Sequence, residues 1–145
     1  MFHAGTEEVF RIAIAPRGLA DRHWQQGLPS PLQLELAIDE VETALMSEHL
    51  AHADRGEIAT FDPLLRALPG LQADGGRLGR GDVELLFEHL AAASLAGRDT
   101  GSNAPTRGMP AAALLILREC MHHLGFNAIV TLRDGMAFRT MYFAK

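Results

Sequence analysis

The chain has 145 residues, of which 48% are hydrophobic and 21% are charged, and its formal net charge is −5. This length and composition fit one globular domain over residues 1–145, large enough to bury a core without disulfides or metals. Lys145 is the only lysine and the arginines are scattered, which argues against nucleic acid as a partner. A single cysteine excludes an internal disulfide framework.

The N-terminal residues 1–8 contain no basic segment followed by an apolar one, so we predict no signal peptide. The longest apolar run, residues 109–117, is much shorter than the roughly 20 residues that cross a bilayer. We therefore expect a cytoplasmic protein without a membrane partner.

In the first half of the chain, residues 9–15 combine β-branched and aromatic side chains and predict a strand that Pro16 ends. Residues 16–30 are punctuated by glycine and proline and predict a loop. Ser30 followed by Pro31 is typical of a helix start, and we predict a long helix over 31–53. Two apolar flanks of this helix suggest more than one neighbour. One flank contains Leu34, Ile38, Val41 and Leu45, and the other contains Leu32, Leu36 and Leu50.

In the second half, apolar patterns alternate with glycine-rich connections at 69–81 and 97–108. Asp62 and Asp82 are predicted helix caps, and Gly97 and Gly125 are predicted helix ends. An Asp134-Gly135 pair between two strand-like runs predicts a β-hairpin. The predicted elements are helices over 61–68, 83–96 and 109–124, and strands over 127–132 and 136–143.

We therefore predict an α+β fold in which a small antiparallel sheet packs against three main helices and one short helix. The sheet would consist of the N-terminal strand and the C-terminal hairpin. The helix opening at 109–117 is apolar on all sides, which places it either at the centre of the domain or in a subunit interface. Together with an open edge at the last strand, this favours a homodimer.

Glu35, Asp39 and Glu42 recur at helical spacing and fall within an arc of about 60° on the long helix. Three like charges on one side of a helix either share a cation or are solvated. A solvated face is the commoner outcome, and we adopt it.

Histidines lie near the ends of two helices, beside glutamates, and imidazole with carboxylate suits transition metals. The residues are Glu48, His49 and His52 in the long helix and Glu119, His122 and His123 in the apolar one. No second Glu-x-x-His motif is present, and the helical wheel sets Glu119 and His123 opposite the apolar face of their helix. We predict no bound metal and no cofactor.

Two residues that each occur once in the chain, Cys120 and Trp24, are expected in the core. Cys120 lies late in its helix, far from the helix N-terminus that would lower a thiol pKa, so we interpret it as a small hydrophobic residue rather than a nucleophile. Trp24 follows Arg22 and His23, a combination also found in binding hot spots. A tryptophan that covers its own domain's core is commoner.

The loop 97–108 brings Thr106, Arg107 and Gly108 to the start of the apolar helix. A hydroxyl, a guanidinium and free helix amides form a generic anion site. The Gly-Lys-Ser/Thr ending of a phosphate-binding Walker loop is missing. The glycine-rich run 75–81 follows no predicted strand, so a dinucleotide site is not indicated there. A flexible surface loop is the plainer interpretation of both segments.

The sequence contains no complete catalytic set, and its leading interpretation is a non-enzymatic homodimer that acts through binding or assembly. The alternative is a small enzyme or ligand-binding domain. In it, Thr106, Arg107 and Gly108 hold a small anionic ligand, and His122 or His123 serves as acid–base. A metal-binding protein that uses the helix-end histidines is the third possibility.

Overall fold

The computed structural model describes residues 9–46, 56–60, 62–131 and 139–143, which form five helices and five strands. The helices are α1 (Pro16–His23), α2 (Pro31–Met46), α3 (Pro63–Arg66), α4 (Arg80–Ala96) and α5 (Gly108–Leu124). The strands are β1 (Val9–Ile12), β2 (Gly56–Thr60), β3 (Arg77–Gly79), β4 (Phe126–Thr131) and β5 (Arg139–Phe143). The predicted α+β class, with helices packed on a small sheet, is confirmed.

The strands form one sheet in the order β1-β5-β2-β4-β3. The pairs β1–β5, β5–β2 and β2–β4 are all parallel, and the short β3 is antiparallel to β4. The prediction of an antiparallel sheet is therefore wrong for four of the five strands. Because the four parallel strands point the same way, their carboxyl ends lie along one edge of the sheet.

The predicted C-terminal hairpin is also wrong, because β2 lies between β4 and β5 and pairs with both. Thr60 is aligned with Thr131 of β4, and Ile58 is aligned with Arg139 of β5. Relative to β2, the start of β5 thus lies two residues before the end of β4. The Asp134-Gly135 turn lies outside the described residues.

Helix α5 is the centre of the molecule, since residues 111–117 are fully buried and the helix packs against each of the other four helices. Of the two positions predicted for this apolar helix, the central one is correct. The sheet edges are β1 and β3, whereas β5 is an interior strand. Both observations that favoured a homodimer, an apolar helix left uncovered and an open edge at the last strand, are thus absent from the described part of the chain.

Three elements were not predicted from the sequence. Pro16 does not end a strand but occupies the first turn of α1, a position that proline favours because its missing N–H would have no partner there. Strands β2 and β3 have five and three residues, too few for a clear hydrophobic period. Each is held by pairing with β4, which lies far away in the sequence.

The predicted helix caps are largely confirmed. Ser30 and Gln33 bond reciprocally, with the Gln33 amide donating to Ser30 Oγ at 3.1 Å and the Ser30 amide donating to Gln33 Oε1 at 2.8 Å. Asp62 Oδ1 accepts from the Leu64 amide at 2.9 Å. Gly97 and Gly125 end their helices with φ of 72° and 80°, a conformation that disfavours side chains with a Cβ.

Helix α4 begins earlier than predicted, and the predicted end of α2 lies beyond the residues that the structure describes. Helix α4 begins at Arg80, so that Asp82 lies inside its first turn, where its carboxylate accepts from the Gly79 amide at 2.9 Å. Helix α2 is described as far as Met46, and the predicted remainder of that helix, 47–53, with His49 and His52, lies outside the described residues. Within the described ranges, no helix has the length and apolar character that crossing a membrane requires.

Candidate functional site

The structure does not bring the two halves of the predicted anion site together. Thr106, Arg107 and Gly108 lie at the start of α5, whereas His122 and His123 lie in its last turn. A helix rises 1.5 Å per residue, so about 22 Å separates Arg107 from His122. Neither histidine can act on a ligand held by Thr106 and Arg107.

At the start of α5, the groups predicted to hold an anion are engaged within the chain. Asp99 accepts hydrogen bonds from the Thr106 hydroxyl and, at 3.4 Å, from the Arg107 guanidinium. The Thr106 hydroxyl and then the charge of Arg107 hold the pKa of the Asp99 carboxyl below its ordinary value. The Gly108 amide donates to the Gly27 carbonyl at 3.1 Å. A carboxylate of the protein thus occupies the place that the prediction gave to a ligand.

A different part of the same loop lines a cleft of about 420 Å³. Residues 101–104 form one side, and the apolar side chains of Leu78, Leu85 and Leu86 form much of the rest. Asp82 and His89 are the titratable groups in this lining. The cleft is mainly apolar, and neither arginine nor lysine lines it among the described residues.

A second cleft, of about 450 Å³, lies where the chain leaves the carboxyl end of β1 and enters α1. Its lining combines the connection 13–15, the exposed face of α1 and part of α2. Four charged residues line it: Arg17, Asp21, Arg22 and Glu40. Crevices outside the carboxyl ends of parallel strands are the usual ligand sites of open α/β sheets.

Glu40 of α2 contacts two residues of α1 beside this second cleft. It accepts from Arg22 through both carboxylate oxygens, and His23 Nε2 lies 2.7 Å from Glu40 Oε1. Partial burial raises the pKa of Glu40, but the hydrogen bonds from Arg22 and His23 outweigh it, so the pKa lies below the ordinary value. Glu40 is therefore a charged anchor that fixes the position of Arg22.

Arg17, which also lines this cleft, is exposed and makes no ion pair or side-chain hydrogen bond with any described residue. The N-cap residue of α1, Ala15, offers no capping side chain, and Pro16 has no N–H. The amides of Arg17 and Gly18 lie in this uncapped first turn, beside the Arg17 guanidinium. Their N–H groups belong to the set that a helix cannot satisfy internally.

A third group of polar side chains lies between α2 and α5, near the end of α5. Glu42, Glu119 and His123 each place one carboxylate or imidazole atom within 4.8 Å of the others. Glu119 is only 3% exposed, and Glu42 and His123 are half-buried. The predicted solvated face of α2 is confirmed for Glu35 and Asp39, which are exposed, but wrong for Glu42.

Arg118 of α5 links this group to Glu84 and Phe87 of α4. Its guanidinium donates to Glu119 Oε2 at 2.8 Å and to both oxygens of Glu84 at 2.8 and 3.1 Å, and it lies 4.2 Å from the centre of the Phe87 ring. The bond from Arg118 is the main cause of a lowered pKa at Glu84. His122, by contrast, is exposed and lies 3.9 Å from Glu84.

Burial is the largest influence on Glu119 and raises its pKa. The adjacent Arg118 charge lowers the pKa, and the nearby Glu42 carboxylate raises it again, with a net upward shift. Two carboxylates held together in a buried place repel each other unless a proton or a cation lies between them. Glu42, Glu119 and His123 are called the α2–α5 group below. Its closely spaced carboxylates distinguish it chemically from the cleft after β1.

Sequence reasoning missed both the cleft after β1 and the α2–α5 group. The cleft was missed because 16–30 was predicted to be a loop, although Pro16 followed by the periodic Leu19 and Ala20 is a helix signal. The α2–α5 group was considered in pieces, the glutamate on one helix and the histidine on another. A wheel of a single helix cannot show that Glu42 faces Glu119.

The fold resembles that of two solved structures of Aquifex aeolicus proteins. The first, described as a PPX-GPPA enzyme, shares 11% sequence identity with a TM-score of 0.56 over 81% of this chain and 42% of that one. The second, described as the type II variant of a Ppx/GppA phosphatase, shares 10% identity with a TM-score of 0.60 over 87% of this chain and 53% of that one. The chain spans about half the length of each. No protein-family model and no curated protein matches the sequence.

Proposed function

We propose that this chain is a binding domain for a small phosphate-bearing anion, which it holds in the cleft after β1. The observation that carries the proposal is the position of Arg17. This guanidinium, which has no ion-pair partner among the described residues, lines a cleft of about 450 Å³ at the carboxyl end of a parallel strand, in the first turn of an uncapped helix. The proposal keeps the ligand class predicted from the sequence and moves its site from the start of α5 to the start of α1.

The chemistry of this cleft suits a phosphate group. Helix N-termini attract anions because the first amides point outward and the helix dipole is positive there. The planar guanidinium of Arg17 can donate two parallel hydrogen bonds to a phosphate. Arg22, held against the Gly18 backbone and bonded to Glu40, adds a second positive group at a fixed position.

The two carboxylates of the cleft limit which anions fit. Glu40 is engaged by Arg22 and lies 2.7 Å from His23 Nε2, whereas Asp21 is exposed on α1, one turn after Arg17. A ligand that approached Asp21 closely would be repelled. We therefore expect the phosphate to lie on the Arg17 side, over the first turn of α1, and the rest of the ligand to extend toward Ala13 and Ala44.

The comparison with solved structures supports the same ligand class without assigning an activity. A phosphatase binds phosphate groups, and one of the two similar structures is described as one. At 10% identity, the resemblance concerns the fold alone, and it extends over about half of that protein. The proposal is accordingly one of binding, with the cleft geometry as its basis.

Isothermal titration with inorganic phosphate and with pyrophosphate, at low ionic strength, tests the proposal. Arg17→Ala should weaken binding at least about tenfold, because a charge-assisted hydrogen bond contributes roughly 1.5–3 kcal/mol. Arg98→Ala is the matched control, since Arg98 is exposed and lies outside the cleft. Equal binding by the two variants, or no binding by the unmodified protein, would contradict the proposal.

Self-association is a second candidate, and one observation favours it. Leu32, Leu36 and Met46 of α2 are 62%, 49% and 75% exposed. At 100° per residue they lie on the same side of the helix, turned away from the buried Leu34 and Val41. They share this face with the exposed Asp39, and large exposed apolar side chains on one helix face are typical of a contact surface.

Sedimentation equilibrium at micromolar concentration tests self-association. A dimer that uses this face of α2 should dissociate when Leu36→Asp places a charge at its centre. Leu95→Asp is the control, because Leu95 is a similarly exposed leucine on α4. A monomer mass that does not change with concentration would exclude this second candidate.

A further inference from the structure

Two helices that are distant in sequence bring three metal-ligating side chains together. Glu42 projects from α2, and Glu119 and His123 project from α5 one turn apart. His123 Nε2 lies 3.5 Å from Glu42 Oε2 and 3.5 Å from Glu119 Oε1. The three side chains thus face a common point from two directions.

The spacing of these atoms matches a metal coordination shell. Zinc binds imidazole nitrogen and carboxylate oxygen at roughly 2.0–2.2 Å with tetrahedral angles, which sets ligand atoms about 3.4 Å apart. The two distances from His123 Nε2 are within about 0.1 Å of that edge length. The carboxylate oxygens of Glu42 and Glu119 in this group also lie within 4.8 Å of each other.

A hydrogen bond from a neighbouring residue fixes the orientation of Glu119, as residues that bond to the ligands do in metal sites. Arg118 donates to Glu119 Oε2 at 2.8 Å, which leaves Oε1 turned toward His123. Arg118 is itself held by the two oxygens of Glu84. Its positive charge is thus shared between two carboxylates, and the group made of Glu42, Glu84, Glu119 and Arg118 keeps a net negative charge.

We propose that Glu42, Glu119 and His123 bind one divalent transition-metal ion such as Zn²⁺ or Mn²⁺. Mixed imidazole and carboxylate ligands suit these ions better than they suit Ca²⁺ or Mg²⁺, which prefer oxygen ligands only. The described residues supply three ligands, the number that catalytic zinc sites take from the protein when they keep a fourth position for water. This inference replaces the expectation of no metal, which rested on the absence of a second Glu-x-x-His motif and on the wheel of α5.

The proposed metal site is independent of the proposed anion cleft. Glu40 and Glu42 are two residues apart on α2 and therefore point about 200° apart around the helix. Glu40 contacts Arg22 and His23 of α1, whereas Glu42 faces α5. Each site can be removed by substitution without touching the other.

Equilibrium dialysis of the metal-free, untagged protein against Zn²⁺ and against Mn²⁺, each followed by elemental analysis, tests the proposal. We expect one ion per chain, and a rise in the thermal unfolding midpoint that saturates at the same stoichiometry. His123→Ala should weaken the affinity at least tenfold, since even the loss of an outer-shell group costs 10- to 100-fold. His122→Ala is the matched control, because the neighbouring His122 faces Glu84 and not the cluster.

Circular dichroism verifies that both histidine variants fold. Glu42→Gln removes a different proposed ligand, at a half-buried position on the other helix. It should weaken binding as His123→Ala does. The proposal is overturned if the unmodified protein binds neither ion with one-to-one stoichiometry. It is also overturned if His122→Ala weakens binding as much as His123→Ala, because the ion would then lie at Glu84 instead.

Discussion

The indole N–H of Trp24 donates a hydrogen bond of 3.0 Å to the carbonyl oxygen of Gly108, and both residues are buried. The Gly108 amide in turn donates to the Gly27 carbonyl. The turn after α1 therefore engages both backbone groups of the residue that begins α5. Gly108 has a φ of 57°, in the left-handed region where glycine carries no steric penalty. The buried position predicted for Trp24 is confirmed, and its polar atom serves to position α5.

Trp24→Phe should lower the free energy of unfolding by about 1–3 kcal/mol. Phenylalanine keeps most of the apolar area but leaves the Gly108 carbonyl without its buried donor. Urea unfolding followed by circular dichroism measures the change, since the variant has no tryptophan fluorescence. Unchanged stability in Trp24→Phe would mean that the hydrogen bond is not formed in solution.

Arg80→Ala should destabilise the protein by about 1–3 kcal/mol through the end of α5. The Arg80 guanidinium donates to the Met121 carbonyl at 3.2 Å and to the Phe126 carbonyl at 2.8 and 3.1 Å. The Met121 carbonyl in the last turn of α5 also accepts from the Gly125 amide, so Arg80 ties the end of α5 to the first residue of β4, as an arginine near a helix C-terminus can. Arg98→Ala, at an exposed position, should change the unfolding midpoint little. Equal effects of the two substitutions would contradict this role of Arg80.

Leu117→Ala should be among the most destabilising truncations in the chain, at about 2–5 kcal/mol. Leu117 is fully buried in the middle of α5, where removed methyl groups leave a cavity that neighbours fill only partly. Glu35→Ala, on the exposed side of α2, should change stability by less than about 0.5 kcal/mol. Denaturant unfolding of the two variants compares these expectations directly. Similar losses in both would mean that Glu35 has a buried partner.

Local signals in the sequence predicted the elements whose cause is local. The caps at Ser30 and Asp62 and the ends at Gly97 and Gly125 depend on a few neighbouring residues, and the structure confirms them. The buried Cys120 follows from its place on the apolar helix and is confirmed as well.

Strand pairing could not be predicted in this way, because parallel partners are chosen by contacts between distant segments. The Asp134-Gly135 signal predicted a hairpin from a local turn preference. Pairing of β2 with both β4 and β5, with Ile58 and Ala59 fully buried, prevailed over that preference. The juxtaposition of Glu42 with Glu119 is nonlocal in the same sense, since it depends on how α2 packs on α5.

The buried carboxyl of Glu119 predicts a specific pH dependence in the protein freed of metal by a chelator. Its pKa is raised in the folded chain above the ordinary value of 4.5, so the native state binds this proton more tightly than the unfolded chain does. The contribution of Glu119 to stability is therefore most favourable at low pH. It is lost progressively as the pH rises from about 4.5 to beyond the raised native pKa. Groups with lowered pKa, such as Glu40 and Glu84, act in the opposite direction.

Comparison with Glu119→Gln isolates this effect, because the other titrating groups are common to both proteins and the glutamine cannot ionise. The free energy of unfolding of the variant minus that of the unmodified protein should increase as the pH rises above about 4.5 and then level off. In Glu119→Gln, Arg118 loses its bond to a charged partner. This loss shifts the difference in free energy of unfolding at neutral pH, but it does not reverse the direction in which that difference changes at low pH. Urea titrations of the variant and the unmodified protein at half-unit intervals between pH 4 and pH 8 measure this difference. A difference for Glu119→Gln that stays flat or falls with pH would show that the Glu119 carboxyl is not buried beside Glu42 in solution.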